Sequence, residues 1–345
     1  MTSFVAARGA RPEGGRKPVA KARVSRRGGS VRGRLIARSL FALSALLTRL
    51  PERPLTSAAW LLGGVLYRVQ PARRRLVRAN LERVCAYLVS TNMANDTTAA
   101  AARDGRALDR LTRAAFGHYV RSYLEGATLQ RYKVVSELAR VAPDDEGLAA
   151  EAFPAGRTGP TIVVGLHFGA VEIPALWATA RGVPITAPME TVADPEIQTY
   201  FERTRGGTGL TVVPLEGAAA KVRSALARGE TVALVADRAL SGNGARVELF
   251  GAPARLPVGP AVLALETGAP TWVVATRRAG ARYPTRIERL EVPQTGTTRE
   301  KLAAFVAQEV TAFESIIADA PEQWWTLFFP IWDDMPEGRA SQGRA

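Results

Sequence analysis

The chain has 345 residues, 47% of them hydrophobic, and a formal net charge of +14, so it is long enough for one large or two modest domains with a real core. Its single cysteine, Cys85, excludes an internal disulfide, and no Cys/His cluster has metal-site spacing, which fits a cytoplasmic, metal-free protein. No run reaches the ~20 apolar residues that span a bilayer.

The positive charge is unevenly placed. Residues 1–34 carry ten Lys or Arg against one acid, Glu13, on a background rich in Gly, Pro and Ala. Such a segment cannot bury enough apolar surface to order, so residues 1–34 are expected as a disordered basic tail. Either its partner is anionic, phosphate lipid or nucleic acid, or the tail is simply solvated. Arg38 and Arg49 interrupt the apolar stretch that follows, so a secretory signal is not expected. Residues 336–345 read as a second disordered tail.

Between the tails, residues 35–335 read as a single domain. Leu35–Leu50 is helical by composition and stops at Pro51. Leu55–Val69, with Trp60 and Tyr67, stops at Pro71. Either could lie in a membrane interface beside the basic tail, since an apolar face plus polybasic charge is the two-signal route to peripheral attachment. The other reading is two core helices. Arg73–Arg83 forms a helix with three or four cations on one side. Residues 90–106 read as a polar connection, and residues 107–140 as helical again. No carboxylate stands where it would orient His118, which is read as structural.

After Pro160 the pattern changes. Short apolar, β-branched runs alternate with helices: Thr161–Leu166, Ile185–Pro188, Leu210–Val213, Thr231–Ala236, Thr271–Thr276 and Thr285–Leu290. The expected fold is α/β, a mostly parallel or mixed central sheet flanked by helices, following an N-terminal helical, membrane-associating part of residues 35–140.

The chemistry is expected at the end of the first long strand, in His167-Phe-Gly-Ala-Val-Glu172. Open α/β sheets place ligands at the carboxyl ends of their strands. His167 and Glu172 share a face of neither an unbroken strand nor an unbroken helix. They meet only if the chain bends at Gly169 and Ala170, and a His oriented by a carboxylate is a general base. With only two histidines in the chain, few other groups could titrate near neutral pH.

Three loops combine cations with flexible or rigid turns. They are Tyr200-Phe-Glu-Arg203-Thr-Arg205-Gly-Gly-Thr-Gly209, Val235-Ala-Asp237-Arg238-Ala-Leu-Ser-Gly-Asn-Gly244, and Phe250-Gly-Ala-Pro-Ala-Arg255-Leu-Pro-Val-Gly-Pro260. Guanidinium groups and bare backbone N–H groups both suit phosphate oxygens. None matches a nucleotide or dinucleotide fingerprint, so ATP and NAD are not expected. Near the C-terminal end, Trp324-Trp-Thr-Leu-Phe-Phe329 reads as helical core packing, with an interfacial aromatic edge or an acyl-chain wall as the lesser reading.

Together these blocks resemble the lysophospholipid acyltransferase superfamily, and more narrowly its bacterial branch of lipid A late acyltransferases and phosphatidylinositol mannoside acyltransferases. The resemblance is carried by the Arg-rich helix with Asn80-Leu81, by His167-x4-Glu172, by Arg205 before a glycine loop, and by Asp237-Arg238. Phe250-Gly-Ala-Pro-Ala, Gly259-Pro-Ala, Thr267-Gly-Ala-Pro270 and Pro321-Glu-Gln-Trp324 complete it. It spans roughly residues 35–335; the basic tail and residues 90–106 have no counterpart in it.

The resemblance implies an acyl-CoA-dependent O-acyltransferase, with acyl carrier protein as the other possible donor and no cofactor or metal. His167 is then the base and Glu172 its orienting carboxylate. Arg205 and Arg238 are expected to contact phosphate or a glycolipid headgroup, and Asp237 to contact sugar hydroxyls or to fix Arg238. The acceptor is expected to be an anionic glycolipid, a phosphatidylinositol mannoside ahead of a lipid A precursor, reached from the cytoplasmic face of the cell membrane by peripheral attachment. A reading from another class is a non-catalytic basic protein binding membrane or nucleic acid. No nucleic-acid motif accompanies the tail, so no nucleic-acid partner is expected.

Overall fold

Helices make up most of residues 31–127, and prolines and capping residues set their limits. The computed structural model describes residues 31–129, 138–153, 159–190, 194–206, 209–239 and 244–335. The expectations of disordered tails at 1–30 and 336–345 lie outside the described residues. Residues 31–34 belong instead to the first helix, α1 (Val31–Arg49). Pro51 precedes α2 (Glu52–Val69), and Pro71 opens α3 (Pro71–Ser90), where its missing N–H would have had no partner in any case.

Residues 90–106 are not a plain connection, because two caps organise them. The Asn95 side chain accepts from Thr98 N and starts α4 (Asp96–Arg103). The Asp104 carboxylate accepts from the N–H groups of Arg106 and Ala107 and starts α5 (Gly105–Ala127). The alanine run between them supplies the helix propensity.

The remaining strands and helices are β1 (Val141–Pro143), α6 (Glu146–Ala152), β2 (Thr161–Gly165), α7 (Ile173–Ala180), β3 (Ile185–Met189), α8 (Pro195–Gly206), β4 (Leu210–Pro214), α9 (Ala218–Ala227), β5 (Thr231–Val235), β6 (Ala245–Leu249), β7 (Ala252–Leu256), α10 (Gly259–Thr267), β8 (Thr271–Thr276), β9 (Tyr283–Leu290) and α11 (Thr298–Ala318). A seven-stranded sheet has the order β1-β9-β8-β2-β5-β3-β4. Among its pairs β8–β9 is antiparallel and the others are parallel, so the sheet is mixed. All six expected strands are present. Helices cover the sheet, which is why β2 and β8 read as unbroken apolar runs with no polar face.

Outside this sheet, β6 and β7 form a hairpin where only rigid turns were expected. Its two loop residues, Phe250 and Gly251, both have positive φ (50° and 70°), as the mirror-image turns that suit hairpin twist require. A phenylalanine is costly there. The cost is offset by the Phe250 N–H donating to Glu314 Oε1 at 2.5 Å, and by edge-on packing of its ring against Tyr87.

One buried acid on α11 is unpaired. Glu309 is fully buried, and neither carboxyl oxygen has a hydrogen-bond partner among the described residues. Burial lifts its pKa to about 8. Folded protein therefore binds this proton more tightly than unfolded protein. The associated stability is present in full below about pH 4.5 and is lost as pH rises towards 8. The Glu309→Gln protein should lose that slope and gain about 4 kcal/mol at pH 8, seen as a thermal midpoint several degrees above wild type at pH 8.5 but close to it at pH 5. Equal pH dependence in the two proteins would show that Glu309 is not the cause.

Candidate active site

Parallel pairing brings the two principal side chains together. Strands β2 and β5 are neighbours, paired in register from Thr161↔Thr231 to Gly165↔Val235. The pairing continues one step further, with the Ala236 N–H donating to the Gly165 carbonyl at 3.0 Å. His167 and Asp237 each stand two residues past the last paired position, so they emerge side by side at the carboxyl edge of the sheet.

Their contact is short: His167 Nδ1 lies 2.7 Å from Asp237 Oδ1. The other carboxylate oxygen, Oδ2, accepts from the Trp324 indole N–H and from the Thr326 hydroxyl, each at 2.7 Å. Burial by itself would raise the pKa of Asp237. The His167 ring and the hydrogen bonds from His167, Thr326 and Trp324 outweigh it and hold the carboxyl at about 2. An ionised carboxylate on Nδ1 keeps the proton on that nitrogen and leaves the lone pair on Nε2. Nε2 has no partner among the described residues, and the His167 side chain is 24% exposed. The Trp325 ring meets the imidazole edge-on at 4.7 Å, and the Trp325 backbone N–H donates to the His167 carbonyl. The result is an oriented imidazole with one nitrogen held and one nitrogen open.

The bend after His167 is built as the glycine suggested. Gly169 has φ +53°. Its N–H donates to the Gln323 carbonyl at 3.0 Å, and the Ala170 N–H donates to the Thr276 carbonyl at 2.8 Å. The Gln323 side chain bonds Arg278 N and Arg278 O, at 2.9 Å each. From α3, buried Asn80 donates to the carbonyls of Leu327 and Phe329. The segment that holds Asp237 is thus itself tied to the end of β8 and to α3. It is not the helix that its spacing suggested, but two short 3-10 turns, Pro321–Gln323 and Trp325–Phe328.

Two expected roles change. Glu172 does not orient His167. It starts α7, and its Oε1 accepts from Arg205 Nη2 at 3.3 Å. The bend closes against β8 and the Gln323 segment, while strand register delivers a different carboxylate to the imidazole. Nor does Asp237 fix Arg238 or lie open to sugar hydroxyls, because it is fully buried and both its oxygens are engaged. Arg238 instead donates to Glu190 Oε1 at 3.1 Å, with its guanidinium 4.0 Å above the Phe329 ring. Arg205 stands on the last turn of α8. Gly207, Thr208 and residues 240–243 of the glycine loops lie outside the described residues.

Sequence reasoning also missed Trp324, Thr326, Gln323 and Asn80 as parts of the site. A signal existed for Trp324: a buried indole N–H needs an acceptor. His118 packs edge-on against Trp60, and burial, with Arg278 and Arg121 nearby, pushes its pKa down to about 3. It is a neutral packing residue.

The model of the bacterial lipid A biosynthesis acyltransferase family matches residues 154–332, a span enclosing His167, Asp237 and Trp324. The chain is 29% identical over 236 residues to the phosphatidylinositol mannoside acyltransferase of Mycobacterium tuberculosis, covering 67% of this chain and 72% of that protein. It is 30% identical over 183 residues to the phosphatidylinositol mannoside acyltransferase of Mycolicibacterium smegmatis, covering 51% and 59%. Among solved structures, the 1-acyl-sn-glycerophosphate acyltransferase of Thermotoga maritima aligns over 71% of this chain and 97% of its own, with a TM-score of 0.32 and 14% identity.

Proposed function

The chain belongs to the bacterial lipid A biosynthesis acyltransferase family, and from that premise we propose that it moves a fatty acyl group from acyl-CoA to a hydroxyl of a phosphatidylinositol mannoside. The observation that carries the mechanism is the His167–Asp237 pair with Nε2 open. Nε2 takes the proton of the acceptor hydroxyl as its oxygen attacks the thioester carbonyl. The C–S bond then breaks, and the thiolate leaves with the proton returned from the imidazole. A thiolate leaves readily, so the enzyme needs no nucleophile of its own. Asp237 stabilises the imidazolium that forms in between. Arg205 and Arg238 supply cations for phosphate, each now resting on a glutamate. The acceptor class is supported by the names of the two mycobacterial relatives.

Purified full-length protein, palmitoyl-CoA and a panel of mannosylated inositol lipids, read by mass spectrometry, test this. A gain of one acyl mass on a mannoside is the expected result. Acylation of a lipid A precursor instead would move the acceptor to that class, and folded protein inactive on every pair would end the transferase reading.

Peripheral attachment on the cytoplasmic side belongs to the same proposal. No described helix is long and apolar enough to cross a bilayer. Yet α1 and α2 expose Leu35 (68%), Leu46 (55%), Leu61 (70%) and Val69 (63%). A bilayer interface would bury such a face. A Leu61→Asp/Leu62→Asp protein should lose at least about tenfold in partitioning to anionic vesicles while keeping its thermal midpoint, since both residues are exposed. Unchanged sedimentation with vesicles would remove α2 from the attachment surface.

A further inference from the structure

We propose that Arg73 and Arg238 together form a phosphate subsite on the aromatic wall beside His167, with Arg73 a ligand contact supplied by the N-terminal helices. The subsite stands on its own geometry; the acyl-transfer reading enters only in naming which phosphate it holds.

The wall is a run of rings. His167 meets Trp325, Trp325 lies 6.1 Å from Tyr123, and the Tyr123 hydroxyl bonds the Tyr119 hydroxyl at 3.1 Å. Arg238 covers the Phe329 ring at the end of the same segment. Helix α3 is pinned to this segment through Asn80, which donates to the carbonyls of Leu327 and Phe329. Arg73 precedes Asn80 by seven residues, two helical turns, so it lies on the same face about 10 Å along the axis.

The other two arginines of the run are disposed differently: Arg74 sits over the Tyr67 ring at 5.2 Å, and Arg75 is exposed to solvent. The charges of Arg73 and Arg238 both act on the Tyr123 phenol. Burial and the Tyr119 bond raise its pKa, and these two cations oppose the rise. Tyr123 is itself 55% exposed, so a ligand can approach this side of the wall.

Charge makes the case for an anion. Arg73 is half-buried and has no ion-pair partner among the described residues, while Arg238 has only the more exposed Glu190. Two guanidinium groups whose fields converge on one phenol repel each other, and a phosphate between them would relieve this, each offering it a pair of N–H donors. Both the donor and the proposed acceptor carry phosphate, on coenzyme A in one case and as the inositol phosphodiester in the other.

The test is binding to the full chain, measured by calorimetry with two soluble probes, coenzyme A and glycerophosphoinositol. Arg73→Gln and Arg238→Gln should each weaken the same probe by about tenfold or more, Arg73→Lys should weaken it less, and Arg75→Gln should leave it unchanged. Weaker coenzyme A binding assigns the subsite to the donor; weaker glycerophosphoinositol binding assigns it to the acceptor. Thermal melts of the variants matching wild type exclude unfolding as the cause. The proposal is overturned if wild type binds neither probe, or if the Arg73→Gln protein binds both as tightly as wild type. Turnover on palmitoyl-CoA and a mannoside is read separately, so its absence with binding intact counts against the reaction and not against the subsite.

Discussion

Asp237→Asn should lower kcat by about 10²–10⁴ while leaving KM within a few-fold of wild type. Size is not the reason, since asparagine fills the same volume. One carboxylate oxygen accepts from two donors, Trp324 N–H and Thr326 O–H, and the other faces His167 Nδ1. An amide has only one acceptor end. Turning its NH2 towards Trp324 and Thr326 would set donor against donor in a fully buried position, which costs the desolvation of each unpaired group. The amide oxygen therefore takes the Oδ2 position and the NH2 points at Nδ1. Nδ1 must then accept, the ring proton moves to Nε2, and the open nitrogen is no longer a base. Steady-state kinetics give the rate, and 15N chemical shifts of the imidazole report the tautomer. A variant with wild-type kcat would show that Asp237 is scaffold only.

Gly169→Ala should unfold or severely destabilise the protein, by about 3 kcal/mol or more. The position combines φ +53° with lack of room: a Cβ there would lie 2.0 Å from the Thr276 carbonyl oxygen, with Arg277 Cα at 2.8 Å. These are backbone atoms of a buried strand end and cannot turn aside as a side chain could. The Thr276 oxygen also accepts from Ala170 N, so any shift breaks the bend that carries His167. Chemical denaturation gives the stability loss. A folded Gly169→Ala protein within 1 kcal/mol of wild type would mean the bend tolerates another path.

The fold was legible where composition and local pattern decide it. Buried strands such as Ile162–Val164 appear as unbroken β-branched runs, and prolines mark the helix ends. Strands β1 and β6–β7 were not legible. The first is three residues long, and the hairpin turns on a phenylalanine in a glycine-like conformation that no propensity would assign. The site was half legible. His167 and its glycine bend follow from strand-end chemistry, but the partner carboxylate is set by strand order. Strands β2 and β5 are neighbours although β3 and β4 lie between them in the chain. Nothing local to His167 distinguishes Asp237 from Glu172, and proximity in sequence favoured the wrong one. Trp324 and Thr326 were read as packing because their polar atoms matter only once the buried carboxylate is known.

That carboxylate's two supporting donors lie 87 and 89 residues after it. A growing polypeptide exposes His167 first and Asp237 some seventy residues later, and the indole and hydroxyl that hold Asp237 come later still. Until translation has passed Thr326, the imidazole lacks its supported counter-ion. Under the proposed reaction, the base would therefore be complete only in a chain that has been made at least as far as Thr326.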